Sequence, residues 1–224
     1  MDKKTTHNVE KFYYDNYRVN KDGTERGLNI YENNFGNLEG GRQHDPTYND
    51  ENAKYQIYTF GCSWTYGWGL EQEESFPHLL GDEETTIHNH GAGGTGLDFA
   101  VKTLSEVYIP ESRRQIFIIT VPHYFRRTWF DDGGVIYKAW EVKEKVNINE
   151  YNNYFNFLHN YELLNRFVGR DKIIWGTWDG DLPQDMFDVK FETYDLVEDK
   201  LHPGVKSHKQ YAEKIKDVLQ DRFK

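Results

Sequence analysis

The chain has 224 residues, and its 27 Lys+Arg against 37 Asp+Glu give a formal net charge of -10, which repels phosphate backbones and anionic lipid heads. Nucleic acid and membrane surfaces are therefore not expected as partners. A chain of this length buries roughly 70 to 75% of its unfolded surface, enough for one core, and the lone Cys62 excludes an internal disulfide framework. The stretch from Met1 to Asn8 has no apolar run, and no later segment approaches the ~18 apolar residues of a spanning helix. The expected setting is a soluble one, the cytoplasm or a virion.

Residues 1–53 are polar, rich in Asn, Gly and Asp, with scattered aromatics such as Phe12, Tyr13 and Tyr31. They read as an extended lead-in packed on a domain covering 54–224. From residue 55 short apolar runs alternate with longer amphipathic ones, the pattern of βα units on a parallel sheet. The runs are Tyr55 to Phe60, Thr85 to His88, Gln115 to Val121 and Asp171 to Trp178. Helices are expected through Phe76 and Leu80, and along the stripe Leu97, Ala100, Val101, Leu104, Val107, Tyr108. A third is expected from about Asn149 to Val168, with Tyr151, Tyr154, Phe155, Leu158 and Tyr161 on one stripe. The last follows Val205, His208, Ala212, Ile215 and Leu219. Stretches 123–148 and 179–198 fit the alternation poorly. Both follow strands and so fall at the carboxyl edge of the sheet, where open α/β folds place ligands, as substrate-shaping insertions.

Three stretches carry chemistry. In Phe60-Gly-Cys-Ser63-Trp-Thr-Tyr-Gly-Trp-Gly-Leu70 a serine stands between a strand and a probable helix, where backbone N–H groups are free to point at an anion. The motif is not the Gly-x-Ser-x-Gly elbow, and it also reads as a glycine-rich turn with a capping serine. In Asp199-Lys-Leu-His202-Pro-Gly a carboxylate three residues before an imidazole can reach its far nitrogen across a tight turn. A serine hydroxyl needs such a base, and the base needs a carboxylate to fix its tautomer and stabilise its cation. Pro203 suits a first helical position. A helix N-terminus disfavours imidazolium by about 0.3 to 1 kcal/mol, whereas a hydrogen bond to a charged partner contributes about 1.5 to 3 kcal/mol, so the carboxylate prevails.

The third stretch, Ile87-His-Asn-His-Gly-Ala-Gly-Gly-Thr-Gly-Leu97, literally contains Gly-x-Gly-x-x-Gly at Gly91, Gly93 and Gly96. It follows what reads as the second strand, and no acidic residue ends the next one; Glu111 precedes that strand. A zinc reading of His88 and His90 with His123 lacks a local cysteine or carboxylate set. No cofactor and no metal are expected.

Together these stretches resemble the SGNH (GDSL-like) esterase family over about residues 55–224. The first is similar to block I, the third to block II, Asn-x-Gly-x-x-Gly, and the Asp-x-x-His-Pro stretch to block V; Asn20 to Gly27 also looks like a lead-in of some relatives. The resemblance implies an α/β fold, a three-layer α/β/α sandwich on a flavodoxin-like parallel sheet of about five strands in order 2-1-3-4-5. It implies Ser63 as nucleophile, His202 as base and Asp199 as its carboxylate. The N–H groups of Ser63 and Gly94 are then the oxyanion donors, and Asn89 is structural. Cys62 stands where the family has the Asp of block I, which is not the triad acid. His208 matches a histidine common after block V and also reads as a buried core histidine.

Block III is the departure. The family has Gly-x-Asn-Asp there, its Asn a third oxyanion donor, whereas this chain has Thr120-Val-Pro-His123. Loss of one such donor typically removes about 2.7 to 4 kcal/mol of transition-state stabilisation. His123, Tyr124 and Arg126 are the nearest substitutes as oxyanion donor or substrate contact. Ser63, Gly94 and His123 each follow one of three neighbouring strands, so all should line one crevice. The expected activity is hydrolysis of a small acyl ester, such as an O-acetyl on a carbohydrate, through an acyl-enzyme. Acyl transfer to another hydroxyl shares the first half-reaction. A non-catalytic carbohydrate-binding or assembly protein on this fold and a cysteine hydrolase using Cys62 are the rivals. Trp64, Trp68, Trp129 and Trp140 suit stacking on a glycan and equally suit a core.

Overall fold

The computed structural model describes residues 54–110, 112, 114–130, 136–138 and 150–223, so the expected lead-in and Trp140 lie outside the described residues. The apolar and β-branched runs form β1 (Tyr55–Gly61), β2 (Thr85–Gly91) and β3 (Gln115–Val121). Every residue of β3 is buried, as a central parallel strand covered on both faces requires. With β6 (Ile173–Thr177) and β7 (Val189–Lys190) they make one sheet of spatial order β2-β1-β3-β6-β7, all neighbours parallel. Counted along the sheet's own strands this is the order 2-1-3-4-5. Gly61 pairs with Gly91 on one side and Thr120 on the other, and Val121 pairs with Thr177, so four strands end level at one edge.

Strand side chains alternate between two helical layers. Tyr58, Phe60, Phe117, Ile119 and Trp175 face α3 (Leu97–Val107) and α4 (Glu150–Val168). Ile57, Ile87, Ile116, Ile118 and Ile174 face the short α2 (Phe76–Leu79) and the closing α5 (Val205–Phe223). Each large apolar side chain so buried contributes about 1.5 to 3 kcal/mol. Among the described residues no helix is long and apolar enough to cross a membrane.

Three local expectations are corrected. The fifth strand comes from 179–198, read above as an insertion; two residues of ladder are too short to show a pattern. β6 starts at Ile173 because Arg170–Lys172 form a 3-10 turn, and β2 runs on to Gly91. In α4, Tyr151 and Phe155 are 77% and 61% exposed, and the buried face is Asn153, Phe157, Asn160, Tyr161, Leu164 and Val168. The reason is polar: Asn156 and Asn160 each donate to the Asp98 carboxylate on α3 at 3.0 Å, a contact that apolar spacing does not reveal. Of stretch 123–148, the described part includes a small antiparallel pair, β4 (Thr128–Phe130) with β5 (Ile136–Lys138).

Candidate active site

β1 delivers Ser63 to the level edge as the first residue of the single turn α1 (Ser63–Tyr66), where its N–H has no intrahelical acceptor. The turn is closed by Tyr66 N–H on Cys62 O (3.0 Å) and Trp68 N–H on Ser63 O (3.0 Å). Asn89 braces it from β2: its Nδ2 donates to Thr65 O (3.3 Å) while its Oδ1 accepts from Thr59 Oγ1 (3.2 Å) and Gly91 N–H (2.9 Å). Ser63 is 8% exposed, and the neighbouring Cys62 is fully buried.

The imidazole arrives from a loop before α5. Leu196 bridges to Pro203, Val197 N–H donates to His202 O (3.0 Å) and Lys200 N–H to Val197 O (3.0 Å), which folds 196–203 into a tight hairpin. Within it Asp199 Oδ1 accepts the N–H groups of Leu201 (2.8 Å) and His202 (3.0 Å), and Oδ2 lies 2.5 Å from His202 Nδ1. His202 Nε2 lies 2.9 Å from Ser63 Oγ. Hydroxyl, imidazole and carboxylate thus stand in one hydrogen-bonded series. Burial pushes the Asp199 carboxyl up, but the Leu201 N–H, the imidazole and the His202 N–H outweigh it, and its pKa lies below the ordinary carboxylate value. Asp199 remains charged at neutral pH.

Pro203 is not the first helical residue. α5 begins at Val205, because Pro203 is held in the bridge to Leu196 and the helix start is capped from outside. Asp195 does the capping: its carboxylate accepts Lys206 N–H (3.0 Å), Ser207 N–H (2.8 Å) and Ser207 Oγ–H (2.6 Å). The hairpin carrying Asp199 and His202 is thereby fastened to α5. His208, fully buried, accepts Phe76 N–H on Nδ1 at 3.0 Å.

Gly94 sits in the loop between β2 and α3 with φ 75°, beside the end of β1, where Ala92 N–H and Thr95 Oγ–H both reach Gly61 O. The glycines of this loop admit protein backbone. A Cβ at Gly91 would meet the Tyr66 N and one at Gly96 the Arg126 carbonyl, so at these two glycines the close approach is by protein backbone. His88 and His90 stack on Tyr58, with centroids 4.4 and 6.0 Å away, whereas His123 packs edge-on against Trp178 at 4.1 Å. Burial, then the neighbouring His88, pushes His90 down to about 4. Among the described residues no group of three metal-ligating side chains occurs.

The three block III candidates lie on one loop after β3. Tyr124 has its hydroxyl on Glu150 (2.8 Å) and its N–H on Asp179 (3.2 Å). Arg126 lies over the Trp178 ring, 5.5 Å from its centroid. His123 Nδ1 is at ion-pair distance, 3.3 Å, from the Asp179 carboxylate, without the alignment of a hydrogen bond. Asp179, 1% exposed, was not singled out by sequence, nor were Asp195 and Trp178. Asp179 follows the fourth long strand run at the carboxyl edge, and that position was the available signal.

No protein-family model matches the chain, and no curated protein matches it at a significant level. Solved structures do. A carbohydrate esterase family 2 enzyme of Corynascus thermopiles (Myceliophthora fergusii) matches with TM-score 0.51 and 13% identity over 78% of this chain and 68% of that one. A family two carbohydrate esterase from Clostridium thermocellum, in complex with cellohexaose, matches with TM-score 0.50 and 12% identity over 78% and 66%. A carbohydrate esterase described as having divergent catalytic and non-catalytic binding functions matches with TM-score 0.52 and 13% identity over 75% and 69%. At these identities the likeness is one of fold. The chain shares the α/β fold of these carbohydrate esterases.

Proposed function

We propose that the chain is an SGNH-type serine esterase that cleaves small acyl esters, with O-acetylated carbohydrate as its substrate class. One observation carries the reading: Ser63 Oγ, His202 and Asp199 are joined by contacts of 2.9 and 2.5 Å, although 136 or more residues separate the serine from the other two.

In this reading Ser63 Oγ attacks the acyl carbon as its proton passes to His202 Nε2, and Asp199, already charged, stabilises the imidazolium through Nδ1–H. The carbonyl oxygen, now an oxyanion, is held by the N–H groups of Ser63 and Gly94. His202 returns the proton to the departing alcohol oxygen. Water, deprotonated by the same imidazole, then splits the acyl-serine. His123 is the third donor, because the Tyr124 hydroxyl is engaged with Glu150, whereas the His123 ring has the Asp179 carboxylate 3.3 Å from its Nδ1. Trp68, with its ring 5.8 Å from that of His202, supplies flat surface for a sugar.

The absence of a block III asparagine favours a second reading, a carbohydrate-binding or assembly protein without turnover. Aryl-acetate hydrolysis by wild type, Ser63→Ala and His202→Ala separates them. The esterase reading expects both variants to fall by about 10³-fold or more in kcat; a wild type no faster than its variants overturns it. Release of acylated product on adding an alcohol acceptor identifies acyl transfer.

A further inference from the structure

Arg126 is built into the loop after β3. Its N–H donates to His123 O at 2.9 Å, its carbonyl abuts Gly96, and the next turn is fixed by Gly96 N–H on Thr128 Oγ1 at 2.9 Å. The side chain is half-buried and its guanidinium lies over Trp178. Among the described residues no carboxylate pairs with it, whereas Arg127, one residue on, pairs with Asp98 at 3.4 Å, and Arg170 and Arg222 pair with Asp188. Arg114, also without a carboxylate partner, is exposed, so among the described residues Arg126 is the half-buried arginine left without a counter-ion.

Its position is the second point. Trp178 stacks on Trp64 at 4.3 Å, and Trp64 directly follows Ser63, so guanidinium, indole pair and serine hydroxyl follow one another at the carboxyl edge. The buried Trp178 Nε1–H also has no acceptor among the described residues. At 5.5 Å from the ring centroid the guanidinium lies in cation–π range, and among the described residues none of its N–H groups is taken by a hydrogen bond or ion pair, so its fork can grip a carboxylate through two parallel hydrogen bonds. A donor-only pair of this kind recognises an acceptor-rich anion.

We propose that Arg126, on its Trp178 platform, reads the carboxylate of an acidic sugar, so that the preferred substrates are acyl esters of sugar acids rather than of neutral sugars. This rests on the esterase reading above and narrows it.

Acetate release from three substrates tests it: 4-nitrophenyl acetate, an O-acetylated methyl glucuronoside, and the matching uncharged glucuronamide. Wild type is expected to favour the acid over the amide by about 10- to 100-fold in kcat/KM. Arg126→Gln brings that ratio close to one, and Arg126→Lys, which keeps charge without the fork, gives an intermediate ratio. As a measurement independent of turnover, calorimetry on the Ser63→Ala protein should show tighter binding of the acid than of the amide. Equal hydrolysis of acid and amide by wild type, or a preference that survives in Arg126→Gln, overturns the inference while 4-nitrophenyl acetate turnover leaves the esterase reading standing. No acetate from any of the three overturns both. A sulfated sugar ester preferred over the glucuronoside overturns the assignment to a carboxylate.

Discussion

His208 accepts the N–H of Phe76 on its buried Nδ1 at 3.0 Å, and so joins the segment that follows Ser63 to the helix that follows His202. The contact spans 132 residues of sequence and fixes the distance between the two arms of the candidate site. The ring stacks on Phe76 and meets the edge of Phe191 in the same core. His208→Phe keeps a ring of similar size and leaves the buried Phe76 N–H without that acceptor. Its expected cost is about 1 to 3 kcal/mol, read as a Tm lower by roughly 3 to 10 °C in calorimetry. Esterase kcat should fall with it while KM changes little, since no substrate contact is removed.

Asp199 serves two partners at once, the backbone of its own turn through Oδ1 and the imidazole through Oδ2. Asp199→Asn can keep the backbone contacts, because an amide oxygen accepts as well, but places neutral amide against Nδ1. The expected result is an intact fold by circular dichroism with kcat lower by about 10³- to 10⁴-fold. A loss below tenfold would mean that the imidazole works without this carboxylate.

Asp188 holds the end of the chain to the sheet. Its carboxylate accepts from Arg170 (2.9 Å), Arg222 (2.5 Å) and Trp175 N–H (2.8 Å). Burial raises its pKa, but Arg170, the Trp175 N–H and Arg222 lower it more, so the folded value lies below the unfolded one. Its contribution is full above the unfolded pKa of ~3.9 and disappears as pH falls through the folded value. Asp188→Asn should reduce stability by about 1 to 3 kcal/mol at pH 7, the partly exposed arginines being screened. It should also flatten the acid limb of a Tm-against-pH curve below about pH 4. An unchanged acid limb would assign that limb to other carboxylates.

The four long strands and the four expected helices, α2 to α5, were legible because apolar spacing reports burial directly: β3 is apolar or β-branched at nearly every position and is buried throughout. On α4 the stripe placed Tyr154, Leu158 and Tyr161 against the core but missed at Tyr151 and Phe155, and the contacts of Asn156 and Asn160 to Asp98 leave no apolar signal. The short β7 carries too few residues to show a period. At the site, Ser63, His202 and Asp199 could be named because their chemistry needs particular residue types at strand and loop ends. Asp195 and Asp179 could not, since a carboxylate that holds backbone N–H groups looks in sequence like any loop aspartate.

The most direct test is covalent labelling by a fluorophosphonate, followed by mass spectrometry of the peptides. Ser63, bonded to His202, is the expected point of attachment, and the buried Cys62 beside it is not. The account predicts one adduct on Ser63, retained in Cys62→Ala and lost in His202→Ala. An adduct on Cys62, or on no residue of the folded protein, would contradict it.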